Sequence, residues 1–131
     1  MGVYISKKAL KRSIRDSFIR GKISEYLGEI RLIVYSKGKR PTERIKEFNV
    51  SPRGHKKIRI AWHIEGDNFY IDDFLYHETD KYYVDKWNKK VLTGEITLET
   101  YRKEGYIELP LNKLDTLNVE EYNKLCYSIL T

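Results

Sequence analysis

Basic side chains recur at helical spacing near the start of the chain, where they could bind phosphate groups. Lys8, Lys11, Arg12 and Arg15 are separated by three or four residues along one stripe, which places them on one side of a helix. Cations on such a stripe neutralise phosphates and release counterions, which gives affinity without sequence preference. A basic turn and a basic loop extend the set. The residues predicted to contact nucleic acid are Lys8, Lys11, Arg12, Arg15, Lys39, Arg40, Arg53 and Lys56.

Long basic side chains can reach a ligand without disturbing the core, so we expect this stripe to be dispensable for stability. Replacing Lys11, Arg12 and Arg15 by serine is expected to weaken DNA or RNA binding uniformly and to leave the melting temperature nearly unchanged. Aromatic residues further along the chain, including Trp62 and Tyr70, could stack on unpaired bases. The predicted partner is nucleic acid or a nucleoprotein complex, and both DNA and RNA remain open.

Acidic side chains concentrate between residues 65 and 85 and support two other functions. Asp67, Asp72, Asp73 and Glu78 would form a patch that binds a host protein, as an inhibitor or adaptor does. The same patch could bind the basic half of a second copy and give a homodimer. As a further alternative, these carboxylates and Lys81 could serve a metal-dependent nuclease.

Residues 70–73 read Tyr-Ile-Asp-Asp and match the aromatic-x-Asp-Asp string of reverse-transcriptase palms, but such a palm needs far more chain than 131 residues. His63 and Glu65 would share one face of a strand. The three histidines do not have metal-ligand spacing with each other or with Cys126. Because no set of nucleophile, base and orienting group can be named, we predict a non-enzymatic protein with no cofactor and no metal.

The charge of the chain is divided between its two halves. The first 60 residues carry 17 Lys and Arg against 5 Asp and Glu, a net charge of +12. The rest carries 8 against 14, a net charge of −6. Such an asymmetry indicates a partner surface, because long-range fields steer association and do not select a fold. With no apolar run of about 18 residues, no membrane partner is expected.

The elements that must position these side chains follow from hydrophobic spacing. Apolar residues at intervals of three and four predict an amphipathic helix over residues 6–27, with Ser6 as its N-cap and Gly28 just beyond its end. Segments with alternating side chains and turn residues between them predict an antiparallel meander of four strands. These strands are predicted over residues 29–35, 44–50, 57–64 and 69–76.

The last third of the chain is predicted to be mainly helical, over residues 80–92, 97–105 and 118–129, with an extended piece at 106–109. We therefore predict a single α+β domain over residues 1–131, with the C-terminal helices packed on one face of the sheet. The predicted core comprises Leu10, Ile14, Phe18, Ile30, Leu32, Val34, Ile58, Ile60, Trp62, Ile64, Val84, Trp87, Leu125 and Ile129.

The residue choice is also informative. The chain has no Gln, one Met and one Cys, and it is rich in Ile, Lys, Glu and Tyr. Lys and Glu enrichment with few thermolabile side chains is typical of hyperthermophile proteins. In composition and size the whole chain resembles the small basic proteins of crenarchaeal viruses, the rudivirus type especially. That resemblance implies a host-interacting viral protein of the host cytoplasm.

Overall fold

The structure, a computed structural model, describes residues 1–51, 58–76 and 82–130. These residues form an α+β fold, so the predicted class is confirmed. The strands are β1 (Val3–Ser6), β2 (Glu43–Ile45), β3 (Phe48–Val50), β4 (Ile58–Glu65), β5 (Asn68–Tyr76) and β6 (Tyr106–Leu109). The helices are α1 (Lys7–Arg15), α2 (Ser17–Gly21), α3 (Ile23–Tyr35), α4 (Tyr82–Leu92), α5 (Leu98–Glu104) and α6 (Val119–Leu130), with a 3₁₀ turn at Leu111–Lys113.

The sheet has six strands in the described part of the chain, in the order β2-β3-β4-β5-β1-β6. Strand β1 pairs parallel with β5, whereas the other neighbours are antiparallel. The prediction of a four-stranded antiparallel meander is therefore wrong in the number and identity of its strands. It missed β1, which adds the parallel pair with β5, and it did not place the extended piece at 106–109 in the sheet, where it forms β6. It also merged β2 and β3, which form a hairpin around Lys46 in a left-handed conformation.

The N-terminal helix is interrupted twice. Ser6 caps α1 as predicted, because its Oγ accepts a hydrogen bond from the Ala9 amide at 2.9 Å. Asp16 then leaves the helical conformation, and its Oδ1 accepts from the amides of Phe18 and Ile19 at the start of α2. The chain enters α3 at Ile23, so the predicted helix end at Gly28 is wrong.

The predicted strand over residues 29–35 is also wrong, because these residues belong to α3. The helix buries Ile30, Ile33 and Val34 against the sheet and turns Leu32 outward with 47% of its surface exposed. This face follows a helical and not a two-residue period. The Tyr26 hydroxyl at the start of α3 donates to the Leu75 carbonyl of β5 at 2.5 Å and fixes the helix across the sheet.

Two hydrophobic cores lie on the two faces of the sheet. Ile60 and Trp62 of β4 join one core with residues of α1, α2, α3 and α6. Ala61, between them, joins the other core with residues of α4 and α5. Since neighbouring strand residues point to opposite faces, helices cover both sides. The predicted packing of the C-terminal helices on one face is therefore wrong.

Most of the predicted core is confirmed. Ile14, Phe18, Leu125 and Ile129 are partly buried against the first core. Ile64 lies beside the β4–β5 hairpin and is 41% exposed, so it and Leu32 are the two errors. The predicted residues that are buried are Leu10, Ile30, Val34, Ile58, Ile60, Trp62, Val84 and Trp87.

The C-terminal third follows the predicted pattern. Helices α4, α5 and α6 and strand β6 all lie within two residues of their expected bounds in the part that is described. Asn118 caps α6, because its Oδ1 accepts from the Glu121 amide at 2.9 Å. Among the described residues, none of the helices combines the length and the apolar character needed to cross a membrane.

Candidate functional site

Four of the predicted phosphate-binding residues meet at one open depression beside α1. The depression has a volume of about 430 Å³. It lies where α1, which begins directly after β1, runs past the end of that strand and contacts α5. The four cations share it with two acids. Its lining residues are Lys8, Lys11, Arg12, Arg15, Asp16 and Glu104.

The two acids in the depression have defined partners. Asp16 caps α2 with its side chain, so its charge is engaged by backbone amides. Glu104, at the end of α5, accepts from Lys11 Nζ at 3.3 Å. Lys8 and Arg15 form no ion pair within the described ranges, and Arg15 is exposed. The charges of these two side chains are therefore not engaged by an acidic residue of those ranges.

Arg12 contacts a buried carboxylate beneath the depression. Its Nε donates to Asp73 Oδ1 at 2.8 Å and its Nη2 to Asp73 Oδ2 at 3.3 Å. Burial acts to lower the pKa of Arg12, but the Asp73 carboxylate and its hydrogen bond outweigh burial and raise that pKa. The Arg12 side chain keeps 25% of its surface exposed, and Asp73 keeps none. We therefore expect Arg12, unlike a freely exposed cation of the stripe, to contribute to the stability of the fold.

A β-bulge explains how two adjacent carboxylates come to lie on the same face of the sheet. Ala61 pairs with Asp73, but the next residue of β4, Trp62, pairs with Ile71. Asp72 is thus an extra residue in β5, and at this point successive side chains do not alternate between the two faces of the sheet. Both Asp72 and Asp73 bind polar partners on the face that carries α4 and α5.

Asp73 is held by a chain of donors. Its Oδ1 also accepts from the Phe74 amide at 2.9 Å, and its Oδ2 accepts from the Tyr101 hydroxyl at 2.7 Å. The Tyr101 oxygen in turn accepts from Trp87 Nε1 at 2.8 Å. Burial and the nearby carboxylate raise the pKa of Tyr101 well above its ordinary value, so the hydroxyl stays a donor.

Asp72 belongs to a second chain of contacts. Its Oδ2 lies 2.6 Å from His63 Nδ1, and its Oδ1 accepts from the Tyr106 hydroxyl at 2.5 Å. The other His63 nitrogen lies 3.1 Å from Glu65 Oε1, which also accepts from Arg102. Burial raises the pKa of Asp72, and the bonds to His63 and Tyr106 offset only part of that rise. As predicted, His63 and Glu65 share one strand face, but both His63 nitrogens are occupied by carboxylates.

Two of the four residues named for the predicted acidic surface are buried. Asp72 and Asp73 have no exposed surface. A partner protein could not contact them, so their assignment to a protein-binding patch is wrong. Asp67 is exposed at the β4–β5 hairpin, 3.6 Å from the amino terminus of the chain. Glu78 lies outside the described residues.

The other predicted basic residues do not join the α1 depression. Lys39 is exposed, and Arg40 pairs with Glu29 of α3 at 3.1 Å. Both follow α3, whose 13 residues span about 20 Å, so their turn lies at the far end of that helix. Arg53 and Lys56 fall outside the described residues. The structure thus shows one basic depression and a separate basic turn.

Two aromatic residues predicted to stack on bases, Trp62 and Tyr70, are enclosed by other side chains. Trp62 is 3% exposed. The Tyr70 ring is stacked between Tyr4 and His63, with ring centroids 5.0 and 4.9 Å away. Neither aromatic residue therefore offers a free face to a base. Over residues 1–51, 58–76 and 82–130, no group of three or more His, Cys, Asp or Glu side chains is placed to hold a metal ion.

Sequence reasoning missed the residues that organise this region. Tyr101, Trp87 and Tyr106 come from the C-terminal half and carried no local signal of a polar role. Asp16 had a recognisable one, because Asp followed by Ser and two apolar residues is a typical helix start.

Comparison with protein-family models, with curated proteins and with solved structures finds no match for this chain.

Proposed function

We propose that this protein is a non-enzymatic nucleic-acid-binding protein that contacts backbone phosphates at the α1 depression, either on free nucleic acid or within a nucleoprotein complex. The observation that carries the proposal is the convergence of Lys8, Lys11, Arg12 and Arg15 on one open depression. Each cation that neutralises a phosphate releases counterions, and this supplies affinity that does not depend on base sequence. Lys39 and Arg40, at the far end of α3, provide a separate second contact for a long ligand.

The competing proposal of a protein inhibitor or adaptor acting through acidic residues is less well supported. Two of its four residues, Asp72 and Asp73, are buried. Their charges are used inside the molecule by Arg12, His63 and two tyrosines. Asp67, which is exposed at the β4–β5 hairpin, would have to act without these two carboxylates.

The proposal is tested by the salt dependence of DNA binding in a variant that combines Lys8→Ser and Arg15→Ser. Each lost phosphate contact lowers the slope of log affinity against log salt by about 0.9 on duplex DNA, so two lower it by about 1.8. Between 50 and 200 mM salt the native protein should therefore lose about twelvefold more affinity than the variant. Fluorescence anisotropy with a labelled duplex of mixed sequence measures this difference.

A matched control removes two exposed lysines that do not line the depression, through Lys89→Ser combined with Lys113→Ser. This variant carries the same net charge as the test variant. If its salt slope equals that of the native protein, the lower slope of the test variant is due to where Lys8 and Arg15 lie and not to the loss of net charge. Incubating the same duplex with Mg²⁺ should leave it intact. Absence of binding by the native protein at low salt, or equal slopes for the two variants, would overturn the proposal.

A further inference from the structure

Arg12 differs from the other cations of the depression because a buried carboxylate holds it from behind. Two of its nitrogens donate to the two oxygens of Asp73, at 2.8 and 3.3 Å. A two-point contact of this kind fixes the plane of a guanidinium as well as its position. Lys8 and Arg15, by contrast, form no ion pair in the described ranges, so no carboxylate there fixes their orientation.

Asp73 is itself fixed by groups from three separate elements. The Phe74 amide of β5, the Tyr101 hydroxyl of α5 and, through that hydroxyl, the Trp87 indole of α4 all contribute. Tyr101 is fully buried and packs with Phe48 and Trp87 in the second core. The Asp73 carboxylate cannot turn without repacking that core, so the orientation of Arg12 is set by the fold.

A buried negative charge under an anion site is unexpected if charge alone attracts the ligand. In bulk water a unit charge about 7 Å away changes the affinity of a singly charged group about threefold, and more at lower dielectric. Asp73 therefore weakens anion binding by Coulomb's law. Asp73 favours binding only if holding Arg12 in a fixed geometry improves the binding free energy by more than the repulsion between Asp73 and the anion reduces it.

We propose that Asp73 is a positioning residue that presents the Arg12 guanidinium to a single backbone phosphate, so that the depression contains one defined phosphodiester subsite flanked by the cations Lys8 and Arg15. This inference rests on the proposed function and assigns the chemistry of its contact. Binding then has two components. One is a salt-dependent attraction to several phosphates, and the other is a directed contact whose strength depends on the orientation of Arg12.

Two substitutions that each remove one negative charge, one in the depression and one beneath it, separate positioning from charge. Glu104→Gln removes the exposed carboxylate that pairs with Lys11, and it should tighten DNA binding about threefold. Asp73→Asn removes the buried carboxylate, and it should weaken binding about fivefold, although the change in net charge is the same. The slope of log affinity against log salt should stay at the native value for Asp73→Asn, because Arg12 keeps its charge.

Tyr101→Phe provides a second variant in case Asp73→Asn does not fold. It removes only the hydroxyl that holds Asp73 Oδ2 and changes no charge, so a purely Coulombic site predicts no change in affinity. Positioning predicts binding about twofold to threefold weaker with an unchanged salt slope. A melting curve of each variant, with binding measured well below the transition, confirms that the folded protein is being compared.

The outcomes distinguish this inference from the proposed function. If the native protein fails to bind a labelled duplex or single strand at low salt, both the proposed function and the positioning role of Asp73 are wrong. If it binds, but Asp73→Asn binds as tightly as or more tightly than the native protein, the phosphate contact stands and the positioning role is wrong. A normal affinity for a folded Tyr101→Phe variant would overturn the positioning role in the same way.

Discussion

Replacing Arg12 by serine should destabilise the protein strongly, whereas replacing Arg15 should not. Both are arginines on the polar side of α1, and sequence spacing treats them alike. In the structure Arg12 pairs with a carboxylate that has no exposed surface, while Arg15 is exposed. The serine variant at position 12 leaves Asp73 with hydrogen bonds from Tyr101 and the Phe74 amide but without its cation.

The expected magnitude follows from this burial. Removing one partner of a buried ion pair costs about 3 to 5 kcal/mol, and the partial exposure of Arg12 places it near the lower end, at about 3 kcal/mol. An unfolding entropy of about 2.1 cal/mol/K per residue gives roughly 0.28 kcal/mol/K for this chain. The melting temperature should therefore fall by about 11 °C. For Arg15→Ser, a surface change within about 0.5 kcal/mol shifts it by less than about 2 °C.

Thermal unfolding followed by circular dichroism measures both shifts in the same buffer. Combining Arg12→Ser with Asp73→Asn should recover about half of the loss, because the unpaired buried charge is then gone. A fall of less than about 4 °C for Arg12→Ser would refute the reasoning, since Asp73 would then tolerate the loss of its cation. Equal shifts for Arg12→Ser and Arg15→Ser would refute it as well.

Two further predictions concern the sheet. Burial raises the pKa of Asp72 in the folded state, so its stabilising contribution is complete below the unfolded pKa of about 3.9 and is lost as pH rises through the folded value. The melting temperature of Asp72→Asn relative to the native protein should therefore increase between pH 3.5 and 7, and a difference that stays constant with pH would contradict this. Gly66→Ala should lower the free energy of unfolding by about 1 kcal/mol, because Gly66 adopts a left-handed conformation. Gly38→Ala should lower it by about 0.5 to 1 kcal/mol more, because the added Cβ would also lie 2.8 Å from Ile64 Cδ1. Denaturant unfolding measures both, and a Gly38→Ala variant as stable as Gly66→Ala would show that Ile64 moves aside freely.

The error at residues 29–35 shows what hydrophobic spacing can and cannot decide. Ile30, Leu32 and Val34 alternate as in a strand, but Ile30, Ile33 and Val34 also recur as on a helix. A short apolar segment fits both patterns. The choice is made by the sheet, which offers α3 a broad apolar face for the residues that a helix groups together. The β4–β5 hairpin was predictable because its alternation is long and its turn residues are unambiguous.

The polar network could not be predicted from the sequence for a different reason. Whether Asp72 and Asp73 point to opposite faces or to one face depends on a bulge, and a bulge is a property of strand pairing. A buried carboxylate also depends on partners that are distant in sequence. Arg12 precedes Asp73 by 61 residues, and Tyr101 follows it by 28. Composition indicated the charges, and only the fold determines which of them meet.

The division of charge along the chain therefore has two origins. Arg12 of the basic half neutralises Asp73 of the acidic half inside the molecule, and Lys11 pairs with Glu104 at its surface. Part of the charge difference between the two halves is thus paired within the molecule, where it joins α1 to the sheet and to α5. Lys8 and Arg15, on the same stripe, have no such partner within the described ranges, so their charge acts outward. Because the inward and outward cations lie within one or two helical turns of each other, a ligand bound by Lys8 and Arg15, as proposed, would also lie close to Arg12. Under the two proposals, the Arg12–Asp73 pair would both stabilise the fold and fix the geometry of the phosphate contact.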